Sequence, residues 1–582
     1  MMHVTRLPDR GWPRPSASWL VAPAVLLLAV FFLWPVAELL TLSLFDNQGS
    51  LTTANYERVA NTPLYVRVLA VTLRISAITA VLSVLFGFPL AYWMARMDPR
   101  MRTYVMLFVL IPFWTSYLVK TFAWMLVLGR TGVINQIFGA FGAEPLSMLQ
   151  GEGAVIVGMV HGMLPLAVLT MVPVISSIDG RLLQAAQTLG AHPVRGFWLT
   201  YIPLSLPGLT SAWLLTFITS LGFFIVPALL GGPQQTFLAQ MIIAQIQQLL
   251  NFAFASTLSV LLLVATFVAW VAYDRLFGMS SLSGGQAVPK KRGAWIRATG
   301  QWILQACANV CEAIAKATSA ILPQAVRSRL MPAYCVLVLL FLAAPTLVVI
   351  PIAFTSSNFL NFPPPGYSMR WFEVYFSSPL WMSATLNSFV IGFASALIAT
   401  VLGGLAALGV ARSEMRWKGA VFALMLSPMI VPRIVFGVGL MYLFARMGLI
   451  GTRTGMIIGH VVLALPFTFV TIAAVLKNHD WRLDQAASTL GANRIKVLTR
   501  VTIPLTKGAL IAAFLFAFIT SFDELTLAIF VSGGVMTTLP KQMWDDMFLQ
   551  LNPTIAAASV IVFIIALTLL MLAERIGGRQ AR

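Results

Sequence analysis

Charge is what this sequence has least of. Of its 582 residues only 10% are Asp, Glu, Lys or Arg, against 59% hydrophobic, whereas a soluble globular chain carries about 25% charge. That balance excludes a water-soluble fold and makes lipid the solvent. Three cysteines (Cys307, Cys311 and Cys335) are too few for a disulfide framework. Cys307 and Cys311 have no further ligands nearby and the five histidines are scattered, so no metal site is expected. His161 and His460 fall inside apolar runs and are read as packing or pore-lining groups. No Gly-x-x-x-x-Gly-Lys-Ser/Thr run occurs, so the chain lacks that means of cradling ATP phosphates. Nothing resembles a Ser/His/Asp arrangement, and the long polar/apolar alternation of a membrane barrel is missing too.

What is there is a series of apolar runs, several above the roughly 18–20 residues that cross a bilayer as helix. They lie near 19–42, 67–95, 103–128, 153–178, 205–230 and 254–276, then near 331–354, 384–411, 420–445, 455–476, 507–532 and 554–574. The pattern predicts an all-α polytopic membrane protein of about twelve transmembrane helices in two six-helix halves. Residues 1–276 form the first half, 277–329 a linker and 330–582 the second half. The linker opens with Ser280-Ser281-Leu282-Ser283-Gly284-Gly285 and turns basic at Lys290-Lys291-Arg292. It then carries Trp295, Trp302 and Ile303 at helical spacing, which suggests an amphipathic helix on the membrane surface.

The formal net charge is +19, from 38 basic and 19 acidic residues, yet no basic groove with interleaved aromatics appears, so nucleic acid is not the expected partner. The basic residues sit in short loops instead. Arg6, Arg10 and Arg14, then Arg96, Arg100 and Arg102, Arg181 and Arg195, the linker, Arg482, Arg494, Lys496 and Arg500, and Arg575, Arg579 and Arg582 all fall on one side of a twelve-span chain. By the positive-inside rule that side, with both termini, is cytoplasmic. Arg446 and Arg453 fall on the other side and break the pattern.

One short polar stretch occurs twice. Gln184-Ala185-Ala186-Gln187-Thr188-Leu189-Gly190-Ala191 runs on to Ile202-Pro203, and Gln485-Ala486-Ala487-Ser488-Thr489-Leu490-Gly491-Ala492 runs on to Ile503-Pro504. The copies lie 301 residues apart, as do Phe217-Ile218-Thr219-Ser220 and Phe518-Ile519-Thr520-Ser521, and Pro165 and Pro466. Gene duplication is the simplest source, with a pore between the halves near a pseudo-two-fold axis. In each copy a glycine supplies a bend without a Cβ penalty, and a proline opens the return into the membrane, where its missing N–H costs least.

These loops resemble the Glu-Ala-Ala loop of permeases in binding-protein-dependent ATP-binding-cassette importers. Both copies keep the paired alanines, the glycine and the proline, and both carry Gln (Gln184, Gln485) where that family has Glu. The resemblance implies the type I importer permease fold in the bacterial inner membrane. It implies that Ala185, Ala186, Gly190 and Pro203, with Ala486, Ala487, Gly491 and Pro504, dock on a cytoplasmic ATPase dimer. That partner would bind ATP and magnesium, and a periplasmic binding protein would deliver cargo; no cofactor is expected in this chain, which is not itself read as an enzyme.

Ile111-Pro112-Phe113-Trp114-Thr115 and Ser220-Leu221-Gly222-Phe223-Phe224 look like one polyamine-importer permease, and Ser521-Phe522-Asp523-Glu524 with Ser532-Gly533-Gly534 like its partner, as though the two were joined in one chain. Iron(III) and aminoethylphosphonate permeases share much of this. Asp523 and Glu524 stand within an apolar run, where charge is costly and defaults to function. They could hold a polyammonium substrate by charge-assisted bonds or serve as a structural pair. Trp114, Tyr117 and Trp124 could offer cation–π faces or simply pack. Lys120 and Arg74 are further charges within spans. An ion-coupled secondary transporter remains the alternative class, for which the duplicated loop has no use.

Overall fold

Apolar runs in hydrocarbon must pair their own backbone N–H and C=O groups, and helix is the local way to do so. The computed structural model describes residues 17–46, 49–277, 294–413 and 415–578. Among these residues the regular structure is helical, with two isolated antiparallel bridges besides. Ten helices are long and apolar enough to cross a membrane, or eleven when the bent pair Lys418–Ile430 and Arg433–Met447 counts as one. The helix Thr554–Gly578 follows, starting 301 positions after Ala253 in the helix Phe252–Phe277. The all-helical, polytopic class expected from the sequence is the class observed. Arg6, Arg10, Arg14, the stretch from Ser280 to Arg292, Arg579 and Arg582 lie outside the described residues, as do the side chains of Trp295 and Arg575.

Each half is built on three mutually packed helices: Pro63–Ala95, Glu152–Ser176 and Ile202–Leu221 in the first, Pro379–Arg412, Arg453–Lys477 and Ile503–Phe522 in the second. Lipid offers helices no hydrophobic drive to associate, so close approach over small residues and hydrogen bonds between helices do that work. Gly403 is such a contact: a Cβ there would stand 2.2 Å from Thr468 Oγ1. The same hydroxyl donates to the Ala399 carbonyl at 2.8 Å. Gly87 plays the corresponding part against Val168 and Met171.

The halves interlock. The first span, Ala17–Leu42, packs on the second half, where Gly409 and Gly439 leave room for Val21 and the Pro35 backbone. Glu38 pairs there with Arg446 at 2.6 Å. Arg446 and Arg453, the two charges that break the positive-inside pattern, thus have partners; Arg453 donates to Asn387 Oδ1 at 3.2 Å. Reciprocally, Gln324–Ala353 packs on the first half. Tyr334 donates its hydroxyl to the Phe86 carbonyl at 3.0 Å, and His161 Nε2 lies 3.1 Å from the Leu342 carbonyl oxygen.

Four runs that read as continuous are broken. The run near 103–128 divides into Pro99–Trp114 and Tyr117–Leu128, with Ser116 capping the second piece through the Leu118 N–H. The run near 420–445 turns by 98° at Val431-Pro432, because proline has no N–H to give and holds the residue before it extended. The runs near 205–230 and 507–532 end in short returning helices, Ile225–Leu230 and Thr526–Val531.

Between the halves lies the helix Ala294–Ile321. One face, including the buried Ala308, meets the first repeated loop, while Ile303, Val310, Ile314 and Ile321 are exposed.

Candidate functional site

The two repeated loops have the same geometry. In the first, Arg181–Thr188 ends at Gly190, then Pro193–Gly196 continues through one π-helical turn, Phe197–Tyr201, into the span Ile202–Leu221. In the second, Trp481–Thr489 ends at Gly491, then Arg494–Val497 and the π turn Leu498–Thr502 lead into Ile503–Phe522. Gly190 and Gly491 both have φ of +86°, the left-handed region that glycine enters freely. Each completes a helix-ending motif in which two N–H groups turn back on the last carbonyls. Gly190 donates to Gln187 and Ala191 to Ala186, both at 3.0 Å; Gly491 donates to Ser488 and Ala492 to Ala487, both at 3.1 Å.

Gln184, Ala185, Gln485 and Ala486 are exposed, while Ala186 and Ala487 are half-buried. Pro203 and Pro504 follow directly on the π turns, in the first turn of their spans, and having no N–H they leave the helical ladder one bond short there. The tips are Leu189 and Leu490, exposed by 89% and 88%. Each is an apolar side chain presented at the end of a glycine turn. Sequence reasoning passed over both leucines, although each precedes the repeated glycine at the same 301-residue spacing.

Deeper in, the breaks converge. A Cβ on Gly222, at the end of Ile202–Leu221, would stand 3.3 Å from Pro432 at the bend of the second half. Around this crossing sits a cluster of four charges. Arg433, first residue after the bend, pairs with Glu524 at 2.8 Å. Glu524 is 1% exposed and also accepts the Leu527 N–H at 3.2 Å. Lys120 is buried, donates to the Pro112 carbonyl at 3.0 Å and lies 3.8 Å from the centre of the Tyr117 ring. Asp523 faces Ser116 across the boundary between halves and feels both Lys120 and Arg433. Two anions and two cations leave the cluster formally neutral, which is how buried charge is tolerated in a membrane.

Asp523 and Ser116 line a cavity of about 20 Å³ with Trp114, Phe522 and residues of the last helix. That volume holds about one water. Trp114 stacks on Phe516 at 5.1 Å, joining the halves. Tyr117 lies beneath Lys120 and edge-on to Phe223 at 4.8 Å. Trp124 stands apart from this group, packed against His161 and Phe341. His460 Nδ1 lies 2.6 Å from Ser521 Oγ, one helical turn from the carboxylates. Arg74, the other charge noted within a span, pairs with Glu152 at 2.7 Å. Sequence reasoning missed Arg433; the break signalled by Pro432 would have exposed it. Among the described residues no group of three or more His, Cys, Asp or Glu side chains could hold a metal.

A membrane-embedded pair of homologous halves, with a polar crossing between them and one exposed elbow on each, fits a transport permease. Residues 84–278 and 399–580 each match the family described as binding-protein-dependent transport system inner membrane component, and the chain belongs to that family. The chain is similar to the spermidine/putrescine transport system permease protein PotB of Haemophilus influenzae, 31% identical over 266 residues that cover 44% of this chain and 90% of that protein. It is also similar to PotC of the same transport system and organism, 31% identical over 211 residues, 36% of this chain and 82% of that protein. A crystal structure of a bacterial alginate ABC transporter bound to a periplasmic protein matches one chain at 17% identity and TM-score 0.38, over 46% of this chain and 95% of that one.

Proposed function

We propose that this chain forms the whole translocation pathway of an ATP-driven importer for polyamines, with residues 1–276 and 330–582 as its two permease halves and 277–329 joining them. The observation that carries the importer reading is the repeated loop, whose two copies share spacing, glycine φ and exposed tip. The ATPase dimer that would bind these loops also binds ATP and magnesium and performs the hydrolysis. A periplasmic binding protein delivers the cargo to the opposite face. Arg181, Arg195, Arg482, Arg494, Lys496 and Arg500 cluster with the loops, which supports a cytoplasmic side for them by the positive-inside rule.

The cargo reading rests on the two polyamine permeases and on Asp523 and Glu524. At the crossing Lys120 and Arg433 compensate these carboxylates. When ATP-driven closure draws the loops together and the halves rock apart, a polyammonium chain can replace the protein's own cations against the carboxylates. Charge stays balanced throughout, and the substrate leaves when the crossing closes again. Trp114 and Tyr117 border the same route, whereas Trp124 lies outside it.

The experiment is uptake of labelled spermidine and putrescine in cells lacking and regaining the gene, with excess iron(III) chelate and aminoethylphosphonate as competitors. Polyamine uptake should return with the gene and resist both competitors. Uptake that stays absent with the protein in the membrane would rule out polyamines as cargo.

A further inference from the structure

The two docking loops are alike, but what holds them is not. The second is tied to its own half by a buried carboxylate. Asp484 accepts from Arg412 at the end of the span Pro379–Arg412, from Thr502 Oγ1 at 2.6 Å, and pairs with His479 Nε2 at 2.5 Å. The first loop has Leu183 at the position matching Asp484 and Tyr201 at that matching Thr502, so the ionic tie is absent there and Tyr201 packs edge-on to Tyr92 of the span Pro63–Ala95 at 5.1 Å. Its Leu183 packs beneath Gly196 instead.

The linker helix Ala294–Ile321 stands against this first loop. Arg195, in the short helix Pro193–Gly196, meets Glu312 through Nε at 2.8 Å and donates through Nη2 to Asn309 Oδ1 at 3.2 Å. Lys316 closes on Glu312 from the next turn at 2.9 Å. Ala308, one turn before Glu312, is buried at 1% exposure. Beyond Ile321 the chain passes within three residues into Gln324–Ala353, which is fixed to the first half through Tyr334 and the Leu342 carbonyl.

We propose that the linker helix is a strut that positions the first docking loop, with Arg195, Asn309 and Glu312 as positioning residues. It does for that loop what the Asp484 network does for the second, and it rests on the reading of the loops as ATPase-docking elements. A linker that merely tethered two permeases would need no ionic contact with one loop.

The test uses the full chain in lipid nanodiscs, alone and with its ATPase. Deuterium exchange is read over 181–201 and 481–502 for wild type, Glu312→Arg, Arg195→Glu and the charge-swapped double variant. Each single reversal should speed exchange in the first loop by up to about fivefold, the upper worth of a partly exposed pair. The second loop should be unchanged and the double variant should recover. Stimulation of ATP hydrolysis by loaded binding protein should fall in the single variants and return in the double. Unchanged first-loop exchange in both single variants would overturn the strut, as would faster exchange with full coupling. A wild-type chain that fails to retain any ATPase would refute docking instead, while the exchange measurement without ATPase still decides the strut.

Discussion

Gly190 and Gly491 offer a clean perturbation, because nothing but backbone conformation is at stake. Each has φ of +86°, and a Cβ built on either would meet nothing within 4 Å. Alanine therefore introduces no clash, only the left-handed penalty of about 1–2 kcal/mol for an L-residue. Asparagine, which tolerates that region better, should cost less, and valine, β-branched, should cost more. If only the native turn docks, the affinity loss equals the loss in its population. The dissociation constant for the ATPase should rise by about 5–30-fold per Gly→Ala substitution, the factor that corresponds to 1–2 kcal/mol. The two loops share no partners, so the double substitution should cost about the sum. The assay is binding of purified ATPase to the permease in nanodiscs, for Gly, Asn, Ala and Val at each position. Valine binding as tightly as glycine would show that the left-handed turn has no part in docking, and the reasoning would fall.

Two other expectations follow from ion pairs. Glu524→Gln leaves Arg433, which is half exposed, without its partner, whereas Arg433→Met strands a fully buried Glu524. Breaking a pair buried on both sides costs about 3–5 kcal/mol, and the exposure of Arg433 brings this one below that. Glu524 is the buried partner, so Arg433→Met should lower thermal stability more than Glu524→Gln, and the double variant should recover part of the loss; equal losses in all three would contradict the pairing. In the second loop burial pushes the Asp484 carboxyl up, but hydrogen bonds from Thr502 and His479 and the Arg412 charge outweigh it and hold it below the usual range. The unfolded state then binds the proton first, so this stabilisation is complete above about pH 3.9 and drains away as pH falls through the lower folded value. Acid should loosen residues 481–502 in wild type, and Asp484→Asn should flatten that dependence; parallel exchange profiles down to pH 3 would count against it.

The parts of this fold that were legible in the sequence are those written as repetition and length. Apolar runs gave the helices because hydrocarbon allows a long run little else. The repeated loops were legible down to the bend, since glycine suits that φ best and its copy recurs 301 residues on. The helix breaks were not. Hydropathy is blind to a turn between two apolar halves, so Ser116 and the Val431-Pro432 bend vanished inside continuous runs, and Arg433 with them. Asp523 and Glu524 stood out as charges, but their partners come from distant sequence. That they form a compensated cluster rather than a bare acidic pair is a tertiary fact. The interlocking of first spans is equally invisible, because Val21 and Gly409 share no pattern.

The contrast between the loops and the crossing bears on how the machine moves. In the proposed cycle identical elbows suit two copies of one partner, which would pull equally on both halves. The crossing they act on is unequal: Asp523 and Glu524 have Gly222 and Phe223 as first-half counterparts, and the opposing cations come one from each half. A symmetric pull therefore separates Lys120 from Asp523 across the boundary between halves. Arg433 and Glu524, both in the second half, can travel together. The carboxylate first left without its own cation is then Asp523, beside Trp114 and Ser116 in the cavity. In the proposed import cycle a cationic substrate should meet its strongest attraction there, at the moment the halves part.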